Sequence, residues 1–232
     1  MTHGTLISNL IAELLIPMSF VRPLSDDEKE ILKRLEKFVR RAHAESDSHD
    51  YAHVLTVTKY AIDIALNIEE VIDPFVCIAG ALLHDIGKTT PTYAHIHGLL
   101  GGALAEEFLD GLKLDRAKTE AISRVVVRHT QTSMIPPETP EEKVVADADT
   151  LDRLGLMGLL RGFMGKTGES MDEIMNRYMS KRKHDFEKLH FEYSKKIGDT
   201  LQDELMEFII KVEDRLKFRL ASIEDLFENT SL

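Results

Sequence analysis

The sequence predicts an all-α fold, and three observations carry that prediction. Leu, Ile, Ala, Glu and Lys dominate the 232 residues while aromatics make up 6% and Trp is absent, a mix that favours helix. Apolar residues recur at three- and four-residue spacing, and no stretch alternates in the manner of a strand. Helix-starting chemistry also recurs along the chain.

The elements follow in order. In MTHGTLISNLIAELLIPMSF, Leu6, Leu10, Ile11, Leu14 and Leu15 keep helical spacing, while Asn9, Glu13 and the lack of a cationic start argue against a signal peptide. Residues 1–24 are therefore expected to form an amphipathic extension, and 25–232 a single helical domain. Ser25 and Glu28 make a capping box, with Ile31, Leu32, Leu35, Phe38 and Val39 as the buried stripe. A second helix is expected from about Asp50 to Ile68. Asp73-Pro74 supplies an N-cap and a first-turn proline for a third, ending near Gly87. Residues 97–110 and 115–129 read as helices parted by a turn at Asp110-Gly111. TQTSMIPPETP is a loop, after which Thr139-Pro140-Glu141-Glu142 restarts a helix carrying VVADADTLDRLG. GKTGES is another break, with Ser170 and Glu173 as a second capping box, and residues 185–227 are expected to be helical with an interruption at Gly198.

Composition also excludes functions. A balance of 29 Lys+Arg against 40 Asp+Glu gives −11, which repels nucleic-acid backbones over most of the surface. Arg177 to Lys196 is the exception, with seven basic and three acidic residues, and reads as a solvated helix face or a phosphate-facing rim. No run approaches the roughly 20 apolar residues of a membrane span. The single Cys77 rules out an intrachain disulfide, so a cytoplasmic chain is expected.

The dipeptide His-Asp occurs at His49-Asp50, His84-Asp85 and His184-Asp185, so alone it carries little weight. Context separates the copies. His184-Asp185 sits in SKRKHDFEK and is expected to be solvated, whereas His84-Asp85 follows the aliphatic run ALL and precedes Ile86-Gly87-Lys88. His53 lies one turn from His49 and leads into an apolar stripe, and Asp147, Asp149 and Asp152 cluster after buried residues. Imidazoles and acids in apolar surroundings on different helices need a shared partner, and a divalent cation with nitrogen and oxygen ligands supplies one.

These residues resemble a family. His53, then His84-Asp85 about 30 residues on, then Asp149 about 65 beyond, together with HDxxH, ALLHDIGK and DADxLDxLGxxGxxR, resemble the signature of the HD-domain metal-dependent phosphohydrolases, small bacterial and archaeal members especially. The resemblance covers about residues 25–215. It implies a helical bundle in which His53, His84, Asp85 and Asp149 bind a metal. It further implies that His97, with His95 as a rival, and His129 hold a second metal or contact phosphate, although Thr130 stands where fuller members carry an adjacent histidine. One or two divalent ions are implied: Mn, Fe, Co, Ni or Zn, with Mg the less natural occupant of an imidazole-rich site. Asp85 can bridge two ions or orient water, and Lys88 can neutralise phosphate charge. His49 and Asp50 are candidates for proton transfer or for bracing the ligands, and Asp147 and Asp152 for caps or ligand-bracing hydrogen bonds. Arg161 is a candidate phosphate binder or a partner for an acid.

The implied activity is hydrolysis of a phosphoester or phosphoanhydride in a nucleotide-like small molecule. The rivals are a non-catalytic HD domain that senses a nucleotide and an HD-domain di-iron oxygenase. TQTSMIPP lacks the GYP-type loop of cyclic-di-nucleotide phosphodiesterases, which counts against that activity. GKT at 165–167 lacks the preceding glycine of a phosphate-binding loop, and the methionines from Met157 to Met179 read as core.

Overall fold

Every residue of the helix Pro74–Leu83 is buried, which makes it the axis of the molecule. The computed structural model describes residues 20–44, 51–164, 173 and 184–229. In these the chain forms α1 (Asp26–Ala42), α2 (Tyr51–Leu66), α3 (Pro74–Leu83), α4 (His97–Gly111), α5 (Arg116–Arg128), α6 (Pro140–Leu154), α7 (Leu156–Met164) and α8 (Glu192–Asn229). Short 3₁₀ turns occupy Ile86–Thr89, Pro91–Ile96 and Gln131–Ser133, and the described residues contain no strand. The fold is all-α. Residues 1–19 lie outside the described residues, as do 45–50 with His49 and Asp50, the GKTGES break with Ser170, and 177–183 of the basic stretch.

Local chemistry starts the helices where the sequence predicts. Ser25 and Glu28 cap α1 reciprocally, Thr139 and Glu142 do the same for α6, and the Asp73 carboxylate accepts from the Phe75 and Val76 amides to open α3. Glu28 also binds Arg22 through two hydrogen bonds and Lys118 through one, tying the chain before α1 to α5. Arg22 reaches Asp73 as well, so the starts of α1 and α3 are joined. Phe20 and Leu24 pack against the core, which Leu35, Val57, Phe75, Leu83, Val125 and Leu151 help to fill. Truncating a fully buried aromatic such as Phe75 to Ala costs about 3–5 kcal/mol.

Three boundaries differ from the sequence reading. Helix α3 stops at Leu83 rather than near Gly87, because the chain tightens into a 3₁₀ turn with the Lys88 amide on the Asp85 carbonyl. Gly87 permits this: a Cβ there would sit 2.1 Å from the His97 carbonyl oxygen, so only glycine lets the turn meet the start of α4. The α4–α5 reversal falls at Lys113, with φ 59°, while Gly111 still belongs to α4. Gly198 does not interrupt α8; it lies against Leu189 and Phe186, and the chain breaks instead at 187–191. There the Asp147 carboxylate accepts from the His190 and Phe191 amides and from His190 Nδ1, so Asp147 braces this break.

Two further placements differ. Met157 is 55% exposed rather than core, Met164 ends α7, and Met171, Met175 and Met179 lie outside the described residues. His184 is exposed, but its neighbour Asp185 is buried, contrary to the solvated reading of that pair. A smaller apolar cluster of Leu159, Leu205 and Ile209 joins α7 to α8. Among the described residues, no helix is long and apolar enough to cross a membrane.

Candidate metal centre

The bundle delivers imidazoles and carboxylates to one buried point from five places in the chain. His53 comes from the first turn of α2, His84 and Asp85 from the end of α3, His97 from the first residue of α4, His129 from the end of α5, and Asp149 from the middle of α6. Close helix contact makes the convergence possible. On α4, a Cβ at Gly102 would lie 2.4 Å from a Val127 methyl, so α5 approaches to backbone distance. The rings of His97 and His129 consequently stand 5.5 Å apart.

All six side chains are at most 5% exposed. Potential ligand atoms of His53, His84 and Asp149 lie within 4.8 Å of one another, and so do those of Asp85, His97 and His129. Asp85 joins the two groups. Its Oδ2 lies 3.2 Å from His53 Nε2 and 3.5 Å from His84 Nε2. Its Oδ1 lies 3.5 Å from His129 Nε2 and 3.7 Å from His97 Nε2. Asp149 Oδ1 is 3.6 Å from His53 Nε2 and completes the first group. The structure thus brings together His53, His84, Asp85, Asp149, His97 and His129. Between the rivals in the 3₁₀ turn and α4, His97 enters the cluster and His95 is exposed.

The outer nitrogens explain the ring orientations. His84 Nδ1 donates to the Ala81 carbonyl at 2.8 Å and His129 Nδ1 to the Val126 carbonyl at 2.7 Å. His97 Nδ1 faces Thr132 Oγ1 at 3.4 Å, and His53 Nδ1 lies 2.6 Å from Asp152 Oδ2. Each ring therefore turns Nε2 inward, and a donated Nδ1 proton leaves a lone pair on that atom. His129 Nε2 is buried and has no hydrogen-bond partner, a condition that costs about 1–3 kcal/mol unless a ligand supplies the contact. A nitrogen-rich, carboxylate-bridged set of this kind fits two divalent transition ions: His53, His84, Asp85 and Asp149 for one, Asp85, His97 and His129 for the other.

The charges around the centre are unevenly placed. Burial works against a charged His53, but Asp152, Asp85 and Asp149 outweigh it and push its pKa up to about 9. Burial likewise opposes ionisation of Asp149, yet Arg153, His84 and His53 hold it well below the usual carboxylate range. His129 moves the other way, its pKa lowered chiefly by burial. Lys88 Nζ pairs with Asp85 Oδ2 at 2.8 Å, and Arg153 Nη1 with Asp149 Oδ2 at 2.5 Å. Arg161, the candidate phosphate binder, makes a short contact with Asp152. Arg153 went unread in the sequence, although its place four residues after Asp149 was a usable signal. Asp185 adds to the negative field at Arg153.

Comparison with known proteins agrees with this architecture. The HD domain family matches residues 50–154. A solved structure of YpgQ from Bacillus subtilis in complex with ADP superposes with a TM-score of 0.66 at 19% identity, covering 82% of this chain and 96% of that one. A protein described as a predicted HD superfamily hydrolase, from an uncultured Thermotogales bacterium, gives 0.60 at 23% identity, covering 80% and 92%. Lin1889 from Listeria innocua gives 0.64 at 21% identity, covering 82% and 97%. At these identities the likeness establishes the fold. A curated tRNA (cytidine(56)-2'-O)-methyltransferase from Picrophilus torridus is 34% identical over 169 residues, 65% of this chain, and the chain spans 43% of that protein's length. Residues 50–154 thus match the HD domain family whose signature the motifs resemble, on a helical fold shared with these solved structures.

Proposed function

We propose that the chain is a metal-dependent phosphohydrolase that cleaves a phosphoester or phosphoanhydride bond in a nucleotide-like small molecule. One observation carries the proposal: Asp85 turns one oxygen to His53 and His84 and the other to His97 and His129. A carboxylate shared between two imidazole groups could hold divalent ions together with those imidazoles and Asp149. Ions held there would lower the pKa of a bound water and polarise a phosphoryl oxygen.

The chain's own residues supply the rest. The four imidazoles and Asp149 fix where the reacting phosphoryl group sits, and burial excludes bulk water from it. Lys88, whose side chain is 18% exposed, stands at the edge of the centre with its ammonium toward Asp85, placed to offset negative charge on a phosphoryl oxygen. A nucleotide is the favoured substrate class because the similar YpgQ structure holds ADP. Methyl transfer is not proposed, since the chain spans under half of the methyltransferase-named relative and its described residues contain no strand. The lone cysteine, buried in α3, suits a reducing, cytoplasmic setting.

The test is metal analysis of purified protein coupled to a phosphate-release screen over nucleotides, sugar phosphates and cyclic nucleotides. Mn²⁺-loaded chain should release phosphate or pyrophosphate, and chelated chain should not. Undiminished activity after chelation would refute the proposal. Nucleotide binding without turnover would point to a sensor, and iron-dependent oxygen consumption without phosphate release to an oxygenase.

A further inference from the structure

His53 is braced differently from the other three imidazoles. His84 and His129 use carbonyls three residues back in or beside their own helices, and His97 faces a threonine hydroxyl. His53 lies near the start of α2 as described, Tyr51–Leu66. Its Nδ1 is met instead by Asp152 Oδ2 at 2.6 Å, three residues after Asp149 and on the same face of α6. The same oxygen accepts a hydrogen bond from Arg161 Nη1 on α7. The Asp152 side chain is 2% exposed and that of Arg161 15%, so the pair is shielded from water.

The spacing of the motif accounts for how Arg161 arrives. Asp152, Gly155, Gly158 and Arg161 stand three residues apart. Gly155 caps α6 in an extended conformation, and α7 starts at once with Leu156. Gly158 then lies so close to the end of α6 that a Cβ would be 2.1 Å from the Arg153 carbonyl oxygen. That close approach folds α7 back and lets the Arg161 guanidinium reach Asp152.

We propose that Asp152 and Arg161 are positioning residues for the metal centre: Asp152 orients His53 with Nε2 inward, and Arg161 locks the Asp152 carboxylate against the ring. The guanidinium is then committed to a carboxylate and is not a phosphate-binding group. Gly158 belongs to the same device, because it sets where Arg161 sits. The inference rests on the metal-centre reading above.

The test uses the full chain, comparing wild type with Arg161→Met, Arg161→Lys and Asp152→Asn. Mn²⁺ affinity and inorganic phosphate affinity are measured by calorimetry, and helical content by circular dichroism. Loss of a group that braces a metal-ligating histidine weakens metal binding by about 10–100-fold. That loss is expected for Arg161→Met and Asp152→Asn, with phosphate affinity of the Mn²⁺-saturated chain unchanged and with most of the Mn²⁺ affinity restored in Arg161→Lys. Unchanged Mn²⁺ affinity with weakened phosphate binding in Arg161→Met would overturn the assignment and make Arg161 a phosphate ligand. Where Arg161→Met loses helical content, the near-isosteric Asp152→Asn decides alone: weakened Mn²⁺ binding supports the assignment and unchanged binding overturns it. A wild-type chain that binds no Mn²⁺ is a separate result, and it refutes the proposed function itself.

Discussion

The two candidate ligand groups on either side of Asp85 are built from the same side chains but embedded in opposite surroundings. His53, His84 and Asp149 lie among charges, with Asp152 and Arg161 behind His53 and Arg153 behind Asp149. His97 Nδ1 faces a hydroxyl and His129 Nδ1 donates to a backbone carbonyl, both neutral groups. The pKa directions follow: carboxylates push His53 up to about 9, while burial pushes His129 down. A site that attracts a proton this strongly also attracts a cation. The difference teaches that the two groups should not bind metal equally, the first tightly and the second weakly, with Asp85 common to both.

The largest effect should come from the shared residue. Asp85→Ala should remove both ions and lower kcat by on the order of 10³-fold or more, with helical content retained, as checked by metal analysis, phosphate release and circular dichroism. A variant that kept one ion at full affinity would break the comparison at its centre.

Separating the groups should come next. His53→Ala should empty the first position, while His129→Ala should leave one tight ion and lose only the weaker one. Metal counts per chain after equilibrium dialysis distinguish the two variants, and equal losses from both would contradict the asymmetry.

The proton on His53 gives a pH signature in the ion-free chain. Its pKa is raised from 6.5 to about 9, so it contributes stability that is fully present below pH 6.5 and lost as pH rises through about 9. Melting temperature of the chelated chain should therefore fall between pH 6.5 and 9, and His53→Gln should flatten that slope. An unchanged slope in the variant would show that His53 does not hold the proton.

The smallest effect should be at the neutral brace. Thr132 Oγ1 is 3.4 Å from His97 Nδ1, a long contact, so Thr132→Val should change Mn²⁺ affinity by about threefold or less, below the 10–100-fold given for a strong brace.

Much of this was legible before the structure. Capping residues are local, so Ser25 with Glu28, Asp73 with Pro74, and Thr139 with Glu142 mark helix starts directly. The residues that converge around Asp85 were legible through motif spacing, because each sits at or near a helix end or on a periodic face. What the sequence hid is set by contacts between distant segments. Helix α3 ends early because Gly87 must meet the His97 carbonyl, and Gly198 stays helical because Phe186 and Leu189 pack on it. Asp185 looks solvated among lysines but is buried, its charge felt at Arg153. The contrast in surroundings was only partly legible: Asp152 was a candidate for ligand-bracing hydrogen bonds, but nothing in one dimension paired it with His53 while a backbone carbonyl braces His84.

The most direct test of the central claim is a calorimetric titration of the ion-free chain with Mn²⁺ at pH 7 in two buffers of different ionisation heat. Two binding events per chain are predicted, the tighter one with a buffer-dependent heat that reports a proton leaving His53, and the weaker one without it. A single event, or two events with equal affinity and equal proton release, would contradict the account.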